Sequence, residues 1–128
     1  MANILIIDDD PLVRASARMV LQRAGHLVDE ANDGNVGIAR AKLHRPDLIL
    51  TDIVMPNKEG IETIRDLRAG GYDGPIIAMS GGGRLDASEI LDLAAKLGAD
   101  ACLAKPFKRA VLLATIDQCL AGTAEVIA

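Results

Sequence analysis

Short apolar runs alternate with segments of helical period along this chain. Three runs, at residues 4–7, 48–50 and 76–79, are continuous and bounded by Asp, Gly or Pro, which is typical of strands buried on both faces. Two weaker runs, at residues 26–31 and 101–104, bring the predicted strands to five, and charges within the first of these favour the edge of the sheet. Because a helix would connect each strand to the next, we expect the sheet to be parallel.

Five segments outside the runs place apolar residues three or four positions apart, so each would form a helix with one apolar face. The five predicted faces consist of Val13, Ala17, Val20, Leu21 and Ala24; Val36, Ala39 and Leu43; Ile61, Ile64 and Leu67; Ile90, Ala94 and Leu97; and Leu112, Ile116 and Leu120. Strict alternation of strands and helices predicts a doubly wound α/β fold, with helices on both faces of the sheet.

The length and charge of the chain exclude several classes of protein. Its 128 residues, half of them hydrophobic, predict one domain over residues 1–121, followed by a short C-terminal tail at 122–128 with no output domain. A net charge of -4 and a pI near 5.0 argue against direct binding to nucleic acid. No run approaches the roughly 18 apolar residues of a membrane span, so we expect no membrane insertion and a cytoplasmic location.

Polar side chains stand where four of the predicted strands end. Asp8 and Asp9 follow the first strand, Asp52 ends the third, Ser80 the fourth and Lys105 the fifth. The carboxyl ends of parallel strands lie at one edge of the sheet, where ligands bind in folds of this class. We therefore expect three carboxylates, a hydroxyl and an ammonium group to converge there.

The chemistry of these groups predicts phosphoryl transfer with a magnesium ion. Clustered carboxylates are the hard oxygen ligands that Mg²⁺ prefers, and the ion would relieve the repulsion between Asp8 and Asp9. A carboxylate can also act as a nucleophile and form an aspartyl phosphate. Asp52 stands alone on its strand, which favours Asp52 as the nucleophile and the pair as metal ligands. Lys105 would neutralise the transferring phosphoryl oxygens, and Ser80 would hydrogen-bond the phosphate.

Four motifs, in this order and spacing, resemble the receiver domain of response regulators in two-component signalling. The motifs are IIDDDP, DLILTDIVMPNKEG, IIAMSGGG and LGADACLAKPF, and the similarity extends to about Leu120. The chain is similar to the single-domain chemotaxis regulator within this family. The resemblance implies a flavodoxin-like five-stranded sheet in the order 2-1-3-4-5 with five helices, and the function of a phosphorylation-activated signalling switch.

The resemblance also implies catalytic roles. Asp52 would accept a phosphoryl group from a phosphohistidine of a histidine kinase or a histidine phosphotransfer protein, and phosphorylation would alter binding to a downstream protein target. Ser80 matches the family's switch hydroxyl, and Lys105 matches its phosphate-binding lysine, with a cis bond to Pro106. The resemblance implies that the chain catalyses its own phosphorylation and its slow dephosphorylation, and that it is not a conventional enzyme.

The resemblance also implies which residues bind the magnesium ion. Asp9, Asp52 and the backbone carbonyl of Val54 would bind Mg²⁺ directly, and Asp8 would act through water. Asp10 lies outside the acidic pair. Because a proline follows it, Asp10 is expected to cap the first helix.

The position three residues before the lysine departs from the family's pattern. Receivers usually carry Tyr or Phe three residues before the lysine, and this chain carries Cys102 there. Cys102 and Cys119 lack the spacing of metal ligands, so both are expected to be small buried hydrophobic residues. In this chain, Cys102 therefore takes the place of the aromatic ring that usually couples to the switch hydroxyl.

Two other functions fit part of the pattern. Asp8 and Asp10 form an Asp-x-Asp pair after a strand, as in small Mg²⁺-dependent phosphatases of the haloacid-dehalogenase type, with Ser80 and Lys105 as later elements. The second alternative is a receiver-like docking module that never uses its phosphate chemistry. Incubation with acetyl phosphate and Mg²⁺ discriminates the three, since a mass increase would map to Asp52, to Asp8 or to no residue.

Overall fold

A computed structural model of the chain describes residues 1–53, 60–81, 89, 92, 95, 96 and 98–122. Its five strands are β1 (Asn3–Ile7), β2 (Leu27–Ala31), β3 (Leu48–Asp52), β4 (Ile76–Gly81) and β5 (Ala101–Lys105). Four helices are bounded within the described residues: α1 (Pro11–Arg23), α2 (Gly34–His44), α3 (Gly60–Ala69) and α4 (Arg109–Leu120). None of the helices in this described part is long and apolar enough to cross a bilayer.

The predicted helix between β4 and β5 is described only in part. Residues 89, 92, 95 and 96 have helical backbone. The predicted apolar face of Ile90, Ala94 and Leu97 lies outside the described residues, and so does the tail at 123–128.

The five strands form one parallel sheet in the order β2-β1-β3-β4-β5. This confirms the doubly wound fold and the strand order that the resemblance implied. β2 lies at an edge of the sheet, as its charges predicted. The order reverses beside β1, so β1 and β3 are the strands where a ligand site is expected in such a sheet.

The two faces of the sheet carry separate apolar clusters. One cluster joins the sheet to α1 and α4 through Leu21 and Ile116, and the other joins it to α2 and α3 through Ala41 and Ile64. Because side chains alternate along a strand, neighbouring residues of β1 enter opposite clusters. Helices on both faces thereby hold the strands, and the ends of the strands, in fixed positions.

The apolar face predicted for α2 is wrong. Its predicted residues are exposed: Val36, Ala39 and Leu43. The buried face contains Gly37 and Ala41 instead. A Cβ atom at residue 37 would lie 2.7 Å from Cγ1 of Ile7, so glycine permits the helix backbone to approach β1 closely. At the ends of α1 and α4, Ala24 and Leu120 are also exposed.

Candidate functional site

Three charged side chains meet where β1, β3 and β5 end. Asp8 directly follows β1, Asp52 is the last residue of β3, and Lys105 is the last residue of β5. The Lys105 ammonium donates a hydrogen bond to Oδ2 of Asp8 at 2.7 Å and lies 3.3 Å from Oδ1 of Asp52. The peptide bond between Lys105 and Pro106 is cis, as the resemblance implied. The fold thus joins residues that are far apart in the sequence.

The burial of these groups makes their charges interact strongly. Asp8 is fully buried, Asp52 is 6% exposed, and the Lys105 side chain is 17% exposed. Burial lowers the pKa of Lys105, but the hydrogen bond to Asp8 and the charge of Asp52 outweigh this effect and hold the pKa above its ordinary value. Lys105 is therefore a fixed positive charge beside the Asp52 carboxylate.

The acidic groups have the chemistry and spacing of a site for a hard divalent cation. Asp8, Asp9 and Asp52 each offer a carboxylate oxygen, and these oxygens lie within 4.8 Å of one another. Asp9 is exposed, so water could complete the coordination of an ion. These residues fit Mg²⁺. The predicted carbonyl ligand Val54 lies outside the described residues.

Hydrogen bonds fix the turn that carries the acidic pair. The Asp8 amide donates to the carbonyl of Ala31 at the end of β2, at 3.1 Å, and the Asp10 amide donates to Oδ1 of Asp8 at 2.9 Å. The Asp10 carboxylate accepts a hydrogen bond from the amide of Leu12 and so caps α1, as predicted. Asp10 is exposed and occupied as a cap, while Asp8 faces the cluster.

Ser80 lies on β4, next to Cys102 of β5. Cys102 is 4% exposed. Burial raises the pKa of the Cys102 thiol, and the neighbouring Ser80 hydroxyl opposes this rise only in part. Cys102 and Cys119 are both buried and free, which confirms their predicted role as small core residues.

The sequence did not point to Arg14, which also contacts the acidic turn. Its guanidinium Nη1 donates to the backbone carbonyl of Asp8 at 2.7 Å, and its Nε donates to Glu30 of β2 at 3.2 Å. Glu30 also accepts a hydrogen bond from Arg18 at 2.6 Å. An arginine in the first turn of a helix is usually a solvated charge, and only the fold places this one against β2.

Comparisons with known proteins point to one family. A family model described as a response regulator receiver domain matches residues 4–117. Response regulator MprA of Mycobacterium leprae is 40% identical over 122 residues, which cover 94% of this chain and 52% of that protein. The nitrate/nitrite response regulator protein NarL of Escherichia coli is 37% identical over 123 residues, which cover 94% of this chain and 56% of that protein. The chain spans about half the length of the curated relatives it matches.

Solved structures share this fold over almost the whole chain. Chemotaxis protein CheY4 of Vibrio cholerae is similar with a TM-score of 0.84 and 30% identity, covering 93% of this chain and 98% of that one. A CheY-like receiver domain protein of Methanospirillum hungatei is similar with a TM-score of 0.87 and 29% identity, covering 95% of each chain. The comparisons favour neither a phosphatase of the haloacid-dehalogenase type nor an inactive docking module.

Proposed function

This chain belongs to the response regulator receiver domain family, and from that membership we propose that Asp52 is the residue through which it is phosphorylated. Receiver domains are the phosphorylation-activated switches of two-component systems. The observation that carries the proposal is the position of Asp52, a nearly buried carboxylate at the end of β3 with the Lys105 ammonium 3.3 Å away. That arrangement provides both a nucleophile and a positive charge for the group it attacks.

The reaction is a transfer of one phosphoryl group from nitrogen to oxygen. An Asp52 carboxylate oxygen attacks the phosphorus of a phosphohistidine, so that a P–O bond forms while the P–N bond breaks, and the released imidazole takes up a proton. Lys105 stabilises the negative charge on the transferring oxygens from its position beside Asp52. Hydrolysis of the same P–O bond by water would return Asp52 to its free form. Ser80, on the neighbouring strand, supplies the hydroxyl that responds to phosphorylation.

Receiver domains generally bind Mg²⁺ at an acidic pocket, and we assign that role here to Asp8, Asp9 and Asp52. The carboxylate oxygens that lie within 4.8 Å of one another support this assignment, as does the hard character of the donors. Asp9 and Asp52 would bind the ion directly and Asp8 through water, and we assign the third direct protein ligand to the carbonyl of Val54. A bound Mg²⁺ would supply additional positive charge to the phosphoryl oxygens.

Receiver domains interact with sensor kinases and downstream targets. For this chain we infer a histidine kinase or a histidine phosphotransfer protein as the donor, docking beside Asp52 and α1. A second protein surface would then read the phosphorylated state. The two free, buried cysteines favour a reducing compartment, in agreement with a cytoplasmic location.

The test is phosphorylation of the native chain and of Asp52→Asn by acetyl phosphate, with Mg²⁺ or with EDTA, followed by intact-mass measurement. Asn keeps the size of the side chain and removes the nucleophilic charge. We expect one phosphoryl group on the native chain with Mg²⁺, and none on the folded variant or with EDTA. Stoichiometric labelling of Asp52→Asn would refute the assignment.

A further inference from the structure

Arg14 is the one cation in the described part of the chain that hydrogen-bonds the backbone of the acidic turn. Its side chain is 19% exposed and reaches back from the first turn of α1 to the Asp8 carbonyl, at 2.7 Å. The same guanidinium donates to Glu30, which holds it against β2. A planar guanidinium can bind two acceptors at fixed angles, which a lysine ammonium cannot do in the same way.

The carbonyl that Arg14 binds belongs to the peptide unit between Asp8 and Asp9. The next peptide unit, between Asp9 and Asp10, is held by the hydrogen bond from the Asp10 amide to the Asp8 carboxylate, at 2.9 Å. The Cα atom of Asp9 lies between these two units, so their orientations determine where the Asp9 side chain points. Arg14 fixes the first unit and Asp8 fixes the second.

Asp9 depends on this backbone support more than the other two acids do. The Asp8 and Asp52 carboxylates are buried and contact Lys105. Asp9 is exposed, and among the residues that the structure describes no protein group bonds its carboxylate. Without Arg14, Asp9 would still carry a carboxylate, but the backbone would no longer hold its side chain in one direction.

We propose that Arg14 is a positioning residue that orients Asp9 as a magnesium ligand by anchoring the Asp8 carbonyl, while Glu30 anchors Arg14. The proposal rests on the proposed function, because it assumes that Asp9 binds Mg²⁺. Groups that orient metal ligands typically change metal affinity by about 10-fold to 100-fold when they are removed. Arg14 acts on one ligand through the backbone, so we expect the low end of this range.

The test compares Arg14→Met with Arg18→Met. Arg18 lies one turn further along α1 and bonds the same Glu30 at 2.6 Å, and the structure records no contact between Arg18 and Asp8 among the described residues. Both substitutions remove a guanidinium from the same ion-pair group. Mg²⁺ is titrated into each ¹⁵N-labelled protein, and the dissociation constant is obtained from the shifts of backbone amide signals. Unfolding in EDTA measures stability separately.

We expect Arg14→Met to raise the Mg²⁺ dissociation constant about 10-fold, and Arg18→Met to change it by less than about 2-fold, because a half-exposed ion pair contributes little. Arg14→Lys should recover part of the affinity, since an ammonium can bind one of the two acceptors. At saturating Mg²⁺ every folded variant should still be labelled by acetyl phosphate.

Equal dissociation constants for Arg14→Met and the native chain, or equal losses in both Met variants, would overturn the proposal. If Arg14→Met does not fold, Arg14→Gln replaces it under the same criteria, because its shorter amide cannot bridge both acceptors. A native chain that binds no Mg²⁺ and accepts no phosphoryl group would overturn the proposed function and this inference together. A native chain that does both, beside unaffected Arg14 variants, would overturn the inference alone.

Discussion

Asp9→Asn should stabilise the protein when no metal is bound. Asp9, Asp8 and Asp52 place three carboxylate oxygens within 4.8 Å of one another, and Lys105 contacts only two of the three groups in the described part of the chain. Replacing Asp9 with Asn removes a negative charge that is repelled by two others and keeps the size of the side chain. The substitution should also remove a ligand for Mg²⁺.

The magnitude follows from the spacing of the oxygens. Two like charges no more than 4.8 Å apart repel by at least about 3.5 kcal/mol at an effective dielectric constant of about 20, and by at least about 0.9 kcal/mol in bulk water. Asp9 is exposed, which favours the lower value, and Lys105 offsets part of the charge on its neighbours. We therefore expect Asp9→Asn to raise the free energy of unfolding by about 1 kcal/mol, which is about 4 °C in melting temperature for a domain of this size.

Magnesium should reverse which of the two proteins has the higher melting temperature. At ten times its dissociation constant, a ligand stabilises the native state by about 1.4 kcal/mol, or about 5 °C here. The native chain should gain this amount, and Asp9→Asn should gain almost nothing. The native chain would then melt below the variant in EDTA and slightly above it in Mg²⁺.

Thermal unfolding followed by circular dichroism, in EDTA and over a range of Mg²⁺ concentrations, measures both effects. Asp10→Asn is the matched control, since it neutralises the adjacent carboxylate while Asn caps a helix as well as Asp does. It should respond to Mg²⁺ as the native chain does. The reasoning fails if Asp9→Asn melts below the native chain in EDTA, or if it gains as much stability from Mg²⁺.

Three further predictions concern stability away from the acidic groups, each measured by urea denaturation. Tyr72→Phe should lose about 1 kcal/mol at pH 8, because the phenol donates to the Pro46 carbonyl at 3.0 Å. Burial raises the pKa of Tyr72 above its ordinary 10.0. Above pH 10.0 the phenol therefore ionises in the unfolded chain before it ionises in the folded one, so the stability of the native chain falls and should meet that of Tyr72→Phe near pH 11. A difference in stability that stays the same over this pH range would contradict this. Arg68→Ala should lower the free energy of unfolding by about 3 kcal/mol, because the Arg68 guanidinium donates to three backbone carbonyls and one carboxylate. Arg65 is exposed, so Arg65→Ala should lower it by less than about 0.5 kcal/mol. Equal losses in the two variants would refute the role of these hydrogen bonds. Cys102→Tyr should lower the free energy of unfolding by about 2 kcal/mol, because the larger ring overpacks a site that is 4% exposed. The folded variant should still be labelled by acetyl phosphate, and a folded variant without labelling would contradict this prediction.

The sheet could be predicted from the sequence because buried parallel strands are continuous apolar runs. Residues 4–7 and 76–79 are such runs, and both lie within observed strands. The buried face of α2 could not be predicted in the same way. Hydrophobicity favoured Leu43, which is 76% exposed, over Gly37, whose buried position depends on close approach to β1.

The candidate site could also be predicted only in part from the sequence. Asp52 and Lys105 end parallel strands and Asp8 directly follows one, and the fold alone brings such ends together. Arg14 could not be found from the sequence, because its contacts depend on how a long side chain crosses from α1 to β2. Sequence patterns thus indicate which residues end the strands, and they do not indicate which side chains support them.

The most direct test of the central claim is the position of the phosphoryl group itself. The native chain is phosphorylated with acetyl phosphate and Mg²⁺ and treated with borohydride, which reduces an aspartyl phosphate to homoserine, and its peptides are sequenced by mass spectrometry. We predict homoserine at residue 52 and at no other position. Homoserine at residue 8, or phosphorylated protein with Asp52 unmodified, would contradict the assignment of Asp52 as the acceptor.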